Sequence, residues 1–179
     1  MKVLVVVDMQ NDFISGSLGT QEACTIVPKL ADYIRKFDGR VIATRDTHSE
    51  DYLDSMEGKK LPVIHCVKGT EGWDIHPQIR DALEETRTWI LTIDKPTFGS
   101  VQLGESLRRL QEEKGSIEEV VLTGVCTDIC VISNALLIKA YLPETEVTVD
   151  ASLCAGVTPQ SHRQALEAMK MCQITIINE

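Results

Sequence analysis

The chain has 179 residues, 43% of them hydrophobic, and a formal net charge of −9. That length suits one domain over residues 1–179 with room for a sizeable core. No Lys/Arg cluster exists that could track a phosphate backbone, which argues against nucleic-acid binding, and no apolar stretch approaches a transmembrane span.

"VLVVV" (3–7) reads as a strand that ends in Asp8. The run is too short for the apolar part of a signal peptide and lacks a small-residue cleavage site. A helix is expected over 22–37, where Ile26, Leu30, Tyr33, Ile34 and Phe37 recur at helical spacing and Gly39 follows. "RVIAT" (40–44) is the second strand, and Asp46 lies just past it. Residues 46–76 read as a long excursion with little regular structure. Such segments are uncommon in compact domains unless they are functional or disordered. "TWILTI" (88–93) runs into Asp94 and Lys95, and a helix follows over 101–113 with Gly115 behind it. "EVVLTG" (119–124) leads to Cys126, Thr127, Asp128 and Cys130, at the head of a helix over 128–141. "EVTV" (146–149), a helix over 159–171 and "ITII" (174–177) complete the chain.

The strands are β-branched and almost continuously apolar. Strands of that kind are buried on both faces, as in parallel sheets. With helices between them, they predict a doubly wound α/β fold: a mostly parallel six-stranded sheet with helices on both faces. Asp8, Asp46, Asp94, Lys95 and Asp150 all follow strands, so a parallel sheet would gather them at the edge where open α/β folds bind ligands. A single Asp there ordinarily caps a turn or helix. Several ionisable groups converging on one edge point to chemistry.

The six cysteines contain no C-x-x-C, which excludes a zinc ribbon or a thioredoxin-type motif. Without a secretion signal, a reducing cytoplasm is the expected setting. Thr127 can serve as an N-cap, which puts Cys130 in the first helical turn. There the helix dipole and nearby amides lower a thiol's pKa, and free N–H groups around Cys126 and Cys130 can receive a developing oxyanion. The plain alternative is a cysteine packed against the sheet. A nucleophile needs a base: Asp8, with Lys95 beside it, is one candidate, and His48 or His65 in the excursion is another. Asp46, His48, His65 and a third acidic residue (Glu57, Asp51 or Asp54) are also donors suited to Zn²⁺, Fe²⁺ or Mn²⁺. Neither G-x-G-x-x-G nor a P-loop follows the first strand, which counts against a non-catalytic nucleotide-binding module.

"VVVDMQNDF", "ATRDTH", "EGKKLPVIHCVKGTEGW", "DKPTFGS" and "TGVCTDICV" occur in this order along nearly the whole chain. In them the chain resembles the isochorismatase-like cysteine hydrolases and, among these, the nicotinamidases. The resemblance implies a triad of Asp8, Lys95 and Cys130, and a cis Val125–Cys126 bond that brings the Cys126 amide to the oxyanion with that of Cys130. It also implies one divalent metal ion, zinc first with iron or manganese as alternatives, on Asp46, His48, Glu57 and His65. Relatives that hydrolyse carbamoyl amides keep the triad but generally lack the metal set, so the two together point to cysteine-dependent hydrolysis of nicotinamide to nicotinate and ammonia. A metal-containing hydrolase of another small amide or carbamoyl compound is the alternative. Phe13, Phe98 and Ile129 are the implied pocket walls, with Trp73 a weaker one. Ile129 stands where Tyr or His is frequent, and Leu61–Ile64 lacks the aromatic that some nicotinamidases carry. The expected partner is a small-molecule amide. Self-association as a homo-oligomer stays open.

Overall fold

The computed structural model describes residues 1–179. Six strands, β1 (Lys2–Val7), β2 (Arg40–Asp46), β3 (Trp89–Lys95), β4 (Glu119–Val125), β5 (Glu146–Ala155) and β6 (Thr175–Ile177), form one sheet in the order β3-β2-β1-β4-β5-β6. Every neighbouring pair is parallel, so the sheet is parallel throughout.

The continuous apolar runs divide their side chains between two cores. Val3, Val5 and Val7 point to one face, where they meet α5 (Val101–Lys114), α6 (Ile132–Tyr141) and α7 (Pro159–Met171). Leu4 and Val6 point to the other, where α1 (Asn11–Ile14), α2 (Gln21–Lys36) and α4 (Pro77–Glu85) cover them. Successive strand residues face opposite sides, so a strand covered on both sides must be apolar at every position. α2 starts where Thr20 Oγ1 accepts the Ala23 N–H at 3.0 Å. It buries Ile26, Leu30 and Ile34 along one stripe, as their spacing predicted.

The excursion holds more regular structure than its sequence suggested: a 3₁₀ turn (Tyr52–Asp54) and α3 (Met56–Lys60), started by Ser55 Oγ accepting the Gly58 N–H. Helix α4 after it was not anticipated. It spans only nine residues and starts on a proline, which suits the first helical position. β5 also continues past its expected end to Ala155, through an irregular register opposite β4. Asp150 therefore lies within the strand. It accepts from Ser152 and Asn178, and takes no part in the ligand edge.

Candidate active site

The site lies at the ends of β1, β2, β3 and β4. β1 and β4 sit together at the middle of the sheet, where connections leave in opposite directions and open α/β folds hold ligands. They approach closely there: a Cβ added to Gly124, whose φ is +105°, would fall 2.1 Å from the Val7 carbonyl oxygen, so only glycine fits. One residue past β1, Asp8 has φ +47°. Positive φ strains a non-glycine residue, and tertiary contacts hold this one. Its N–H donates to the Thr44 carbonyl at 3.2 Å, and its Oδ1 accepts the Thr44 hydroxyl at 2.6 Å.

The structure brings Asp8, Lys95 and Cys130 together. Lys95 Nζ lies 2.7 Å from Asp8 Oδ2, an oxygen with no other hydrogen bond, and 3.4 Å from Cys130 Sγ. It also donates to the Thr97 carbonyl at 3.1 Å. Asp8 and Lys95 are fully enclosed and Cys130 is 5% exposed. Burial pushes the Asp8 carboxyl up, although Lys95 opposes it. Burial works against the Lys95 charge, but Asp8 and its neighbours outweigh that and raise the ammonium, which stays charged. Burial, then Asp8, pushes the Cys130 thiol up. This differs from the sequence expectation of an acidified thiol: burial of the sulfur and the Asp8 charge beside it both disfavour the thiolate.

The helix start differs in detail as well. Thr127–Val131 form a π-helical turn ahead of α6, with no side-chain cap. The Thr127 hydroxyl pairs instead with His162 Nδ1 at 2.8 Å. The Val125–Cys126 bond is cis.

Asp46, His48, Glu57 and His65 converge, each offering one donor atom, all within 4.8 Å of one another. His48 Nε2 lies 3.0 Å from Asp46 Oδ2 and 3.7 Å from Glu57 Oε1. His65 Nε2 lies 3.6 Å and 3.9 Å from the same atoms. Four donors at about 2.1 Å from a common centre stand ~3.4 Å apart, so the spacing suits a four-coordinate divalent ion. The donor chemistry agrees. His65 Nδ1 donates to the Val63 carbonyl at 2.8 Å, which turns Nε2 towards the cluster. Burial opposes the Asp46 charge, but His48, His65 and Lys95 outweigh it and hold the carboxyl below its usual range. Asp51, a competitor for the third position, accepts instead from Ser49, and neither it nor Asp54 joins the group.

Tertiary contacts assemble the four. His48 N–H donates to the Cys66 carbonyl and Lys68 N–H to the His48 carbonyl, which lays residues 66–68 beside the segment just past β2. Gln10, fully buried, donates from Nε2 to the Asp46 and Trp73 carbonyls and accepts the Asp46 N–H at Oε1. Asp12 Oδ2 accepts the Cys66 N–H at 2.8 Å. The Tyr52 ring packs on both imidazoles, with centroids 4.5 Å and 4.9 Å away. Sequence reasoning missed Gln10, Asp12 and Tyr52 as supports. Gln10 and Asp12 lie inside "DMQND", a polar cluster directly after an apolar strand, and that was the available signal.

A cavity of about 610 Å³ opens over both groups. Phe13, Phe98 and Ile129 line it, together with Cys126, Cys130, Asp46, Glu57 and His65. Trp73 does not. Its ring lies beneath the Arg45 guanidinium at 3.7 Å, and its N–H donates to Thr47. Asp94 is likewise engaged elsewhere, with Arg45 at 2.8 Å.

The family described as the Isochorismatase domain matches residues 2–179. The nicotinamidase/pyrazinamidase of Mycobacterium tuberculosis is 30% identical over 186 aligned residues, covering 99% of this chain and 98% of that protein. The nicotinamidase of Saccharomyces cerevisiae is 25% identical over 218, covering all of both. Among solved structures, the pyrazinamidase of Pyrococcus horikoshii in complex with zinc superposes with a TM-score of 0.81 at 29% identity, over 99% of each chain. A family match from the second residue to the last, on a fold whose motifs meet at one sheet edge, means that the chain belongs to the isochorismatase family.

Proposed function

We propose that the chain is a nicotinamidase, which hydrolyses nicotinamide to nicotinate and ammonia through a thioester on Cys130. The supporting observation is that Cys130 and three of the four converging metal-type donors line one cavity with two aromatic walls. Asp8, a carboxylate made more basic by its burial, takes the thiol proton. The sulfur attacks the amide carbonyl while Lys95 offsets the charge beside it. Backbone N–H groups of Cys126 and Cys130 receive the oxyanion. As the C–N bond breaks, Asp8 returns the proton to the departing ammonia. Asp8 then draws a proton from water, which adds to the thioester carbonyl; the C–S bond breaks, the carboxylic acid leaves and the Cys130 thiol is restored. Asp46, His48, Glu57 and His65 would hold a divalent ion, zinc first and iron or manganese as alternatives, whose chemistry is Lewis-acid coordination of an aromatic ring nitrogen. Phe13, Phe98 and Ile129 confine the ring. No helix is long and apolar enough to cross a membrane. Six free thiols support a reducing, cytoplasmic setting.

The metal assignment has its own test. Protein loaded with Zn²⁺ and desalted should retain about one ion per chain. Glu57→Ala should weaken retention about tenfold or more, with Asp51→Ala unchanged. Wild-type retention by Glu57→Ala in elemental analysis would remove Glu57 from the set.

The substrate test compares nicotinamide, pyrazinamide and benzamide by ammonia release from metal-loaded protein. The two amides with ring nitrogens should react, and benzamide far more slowly. The second reading, a hydrolase of another small amide or carbamoyl compound, is kept because the stretch Leu61–Ile64, whose Leu61 lines the cavity, lacks an aromatic to stack on a ring. Efficient cleavage of such a compound, with neither pyridine nor pyrazine amide touched, would establish it over the first.

A further inference from the structure

We infer that Asn134 is a positioning residue, whose one amide group sets the nucleophile turn against the loop that carries both Lys95's anchor and a pocket wall. The inference rests on the amidohydrolase reading and extends it to a residue outside the triad and the donor set.

Asn134 sits on α6 four residues after Cys130, and none of it reaches solvent. Its Nδ2 donates to the Cys130 carbonyl at 2.8 Å and to the Phe98 carbonyl at 3.3 Å. Its Oδ1 accepts the Ser100 N–H at 2.9 Å. The nucleophile's own backbone and two points of the β3–α5 loop therefore meet on one rigid, planar group. The loop's other ties are few: Thr97 Oγ1 donates to the Gly99 carbonyl at 2.8 Å, and Gly99 packs on Ser133 and Leu137. Phe98 is 45% exposed, and Pro96 and Thr97 are exposed too. Yet this loop supplies the Thr97 carbonyl that accepts from Lys95 Nζ, and its Phe98 ring walls the cavity. Ser100 also caps α5 through its hydroxyl. Neither an apolar residue nor a carboxylate could replace the amide, because two acceptors and one donor must be met at once.

The three bonds separate by reach. A threonine in a helix back-bonds to the carbonyl four residues earlier, which here is that of Cys130. It is too short to reach the loop. Valine has the same shape and makes neither contact. In Asn134→Thr the nucleophile tie is kept and the loop tie lost; in Asn134→Val both are lost.

The test compares the two variants with the wild type, using whichever amide the wild type hydrolyses and, separately, the rate of Cys130 alkylation by iodoacetamide. KM should rise several-fold in both variants, since both free the Phe98 wall. The value of kcat and the alkylation rate should fall about tenfold in Asn134→Val and less in Asn134→Thr, which keeps the nucleophile tie but still frees the loop that anchors Lys95, a scale typical of small misplacements at a reacting centre. Thermal melting records folding. If Asn134→Val does not fold, a raised KM with a kcat loss smaller than about tenfold in Asn134→Thr carries the same conclusion. Equal kcat and alkylation rates in the two variants, or wild-type KM in both, would overturn it. Wild-type protein inert towards nicotinamide would count against the substrate reading alone, because the alkylation comparison does not depend on it.

Discussion

Cys130→Ala should abolish turnover, a loss of about 10⁴-fold or more, while Cys126→Ala keeps most of the activity. The two thiols lie four residues apart, and burial raises both, that of Cys126 to about 12. Intrinsic acidity therefore does not select between them. Position does: Cys130 Sγ stands 3.4 Å from the Lys95 ammonium, which itself lies 2.7 Å from Asp8 Oδ2. Cys126 also lines the cavity, but its sulfur makes no hydrogen bond to Lys95 or Asp8, so it does not make good the loss. For residue 126 the proposed mechanism uses only the backbone N–H, which alanine keeps. Steady-state kinetics on both variants is the measurement, with intact-mass detection of an acyl adduct on Cys130 in the wild type. Comparable activity in the two would sink the assignment.

Lys95→Met should cost both stability and activity. Lys95 is 1% exposed and its partner Asp8 not exposed at all. Removing the cation leaves a buried carboxylate whose Oδ2 has no other partner. Breaking one side of a buried pair costs about 3–5 kcal/mol, whereas replacing both charges is close to neutral. Asp8→Asn/Lys95→Met should therefore recover part of the lost stability in denaturant unfolding, the rest staying with Asp46, whose Oδ1 lies 3.4 Å from Lys95 Nζ. Turnover should stay down about 10²-fold or more in both variants, because the proton acceptor or its counter-charge is missing. If the single variant unfolds at the wild-type denaturant midpoint, the pair is not the buried ion pair described. If the double variant regains turnover, Asp8 is not the base.

Much of the architecture is legible in the residues. Val3–Val7 must face two cores because every position is apolar, and that fixes strand type and sheet class from a single run of five residues. Parallel strands then carry their ends to one edge, so Asp8, Asp46, Lys95 and Cys130 can be grouped before any coordinate is known. The limits are also physical. "EVTV" gives no sign that β5 continues to Ala155, because the extension depends on an irregular register with β4, a property of two strands together. Asp150 looks like Asp8 in sequence and differs only in where its strand ends.

Local sequence determined which residues are able to do chemistry here: a thiol at a strand-to-helix junction, a carboxylate after a buried strand, and imidazoles among acids. What only the tertiary structure decided is which of them share a centre and in what state. Glu57 rather than Asp51 joins the histidines because Ser55 starts α3 and the His48–Val67 pairing folds the excursion back on β2. Trp73 leaves the pocket for Arg45. Cys130 is a raised thiol rather than an acidified one because desolvation and the Asp8 charge depend on everything packed around the sulfur, and sequence spacing specifies neither.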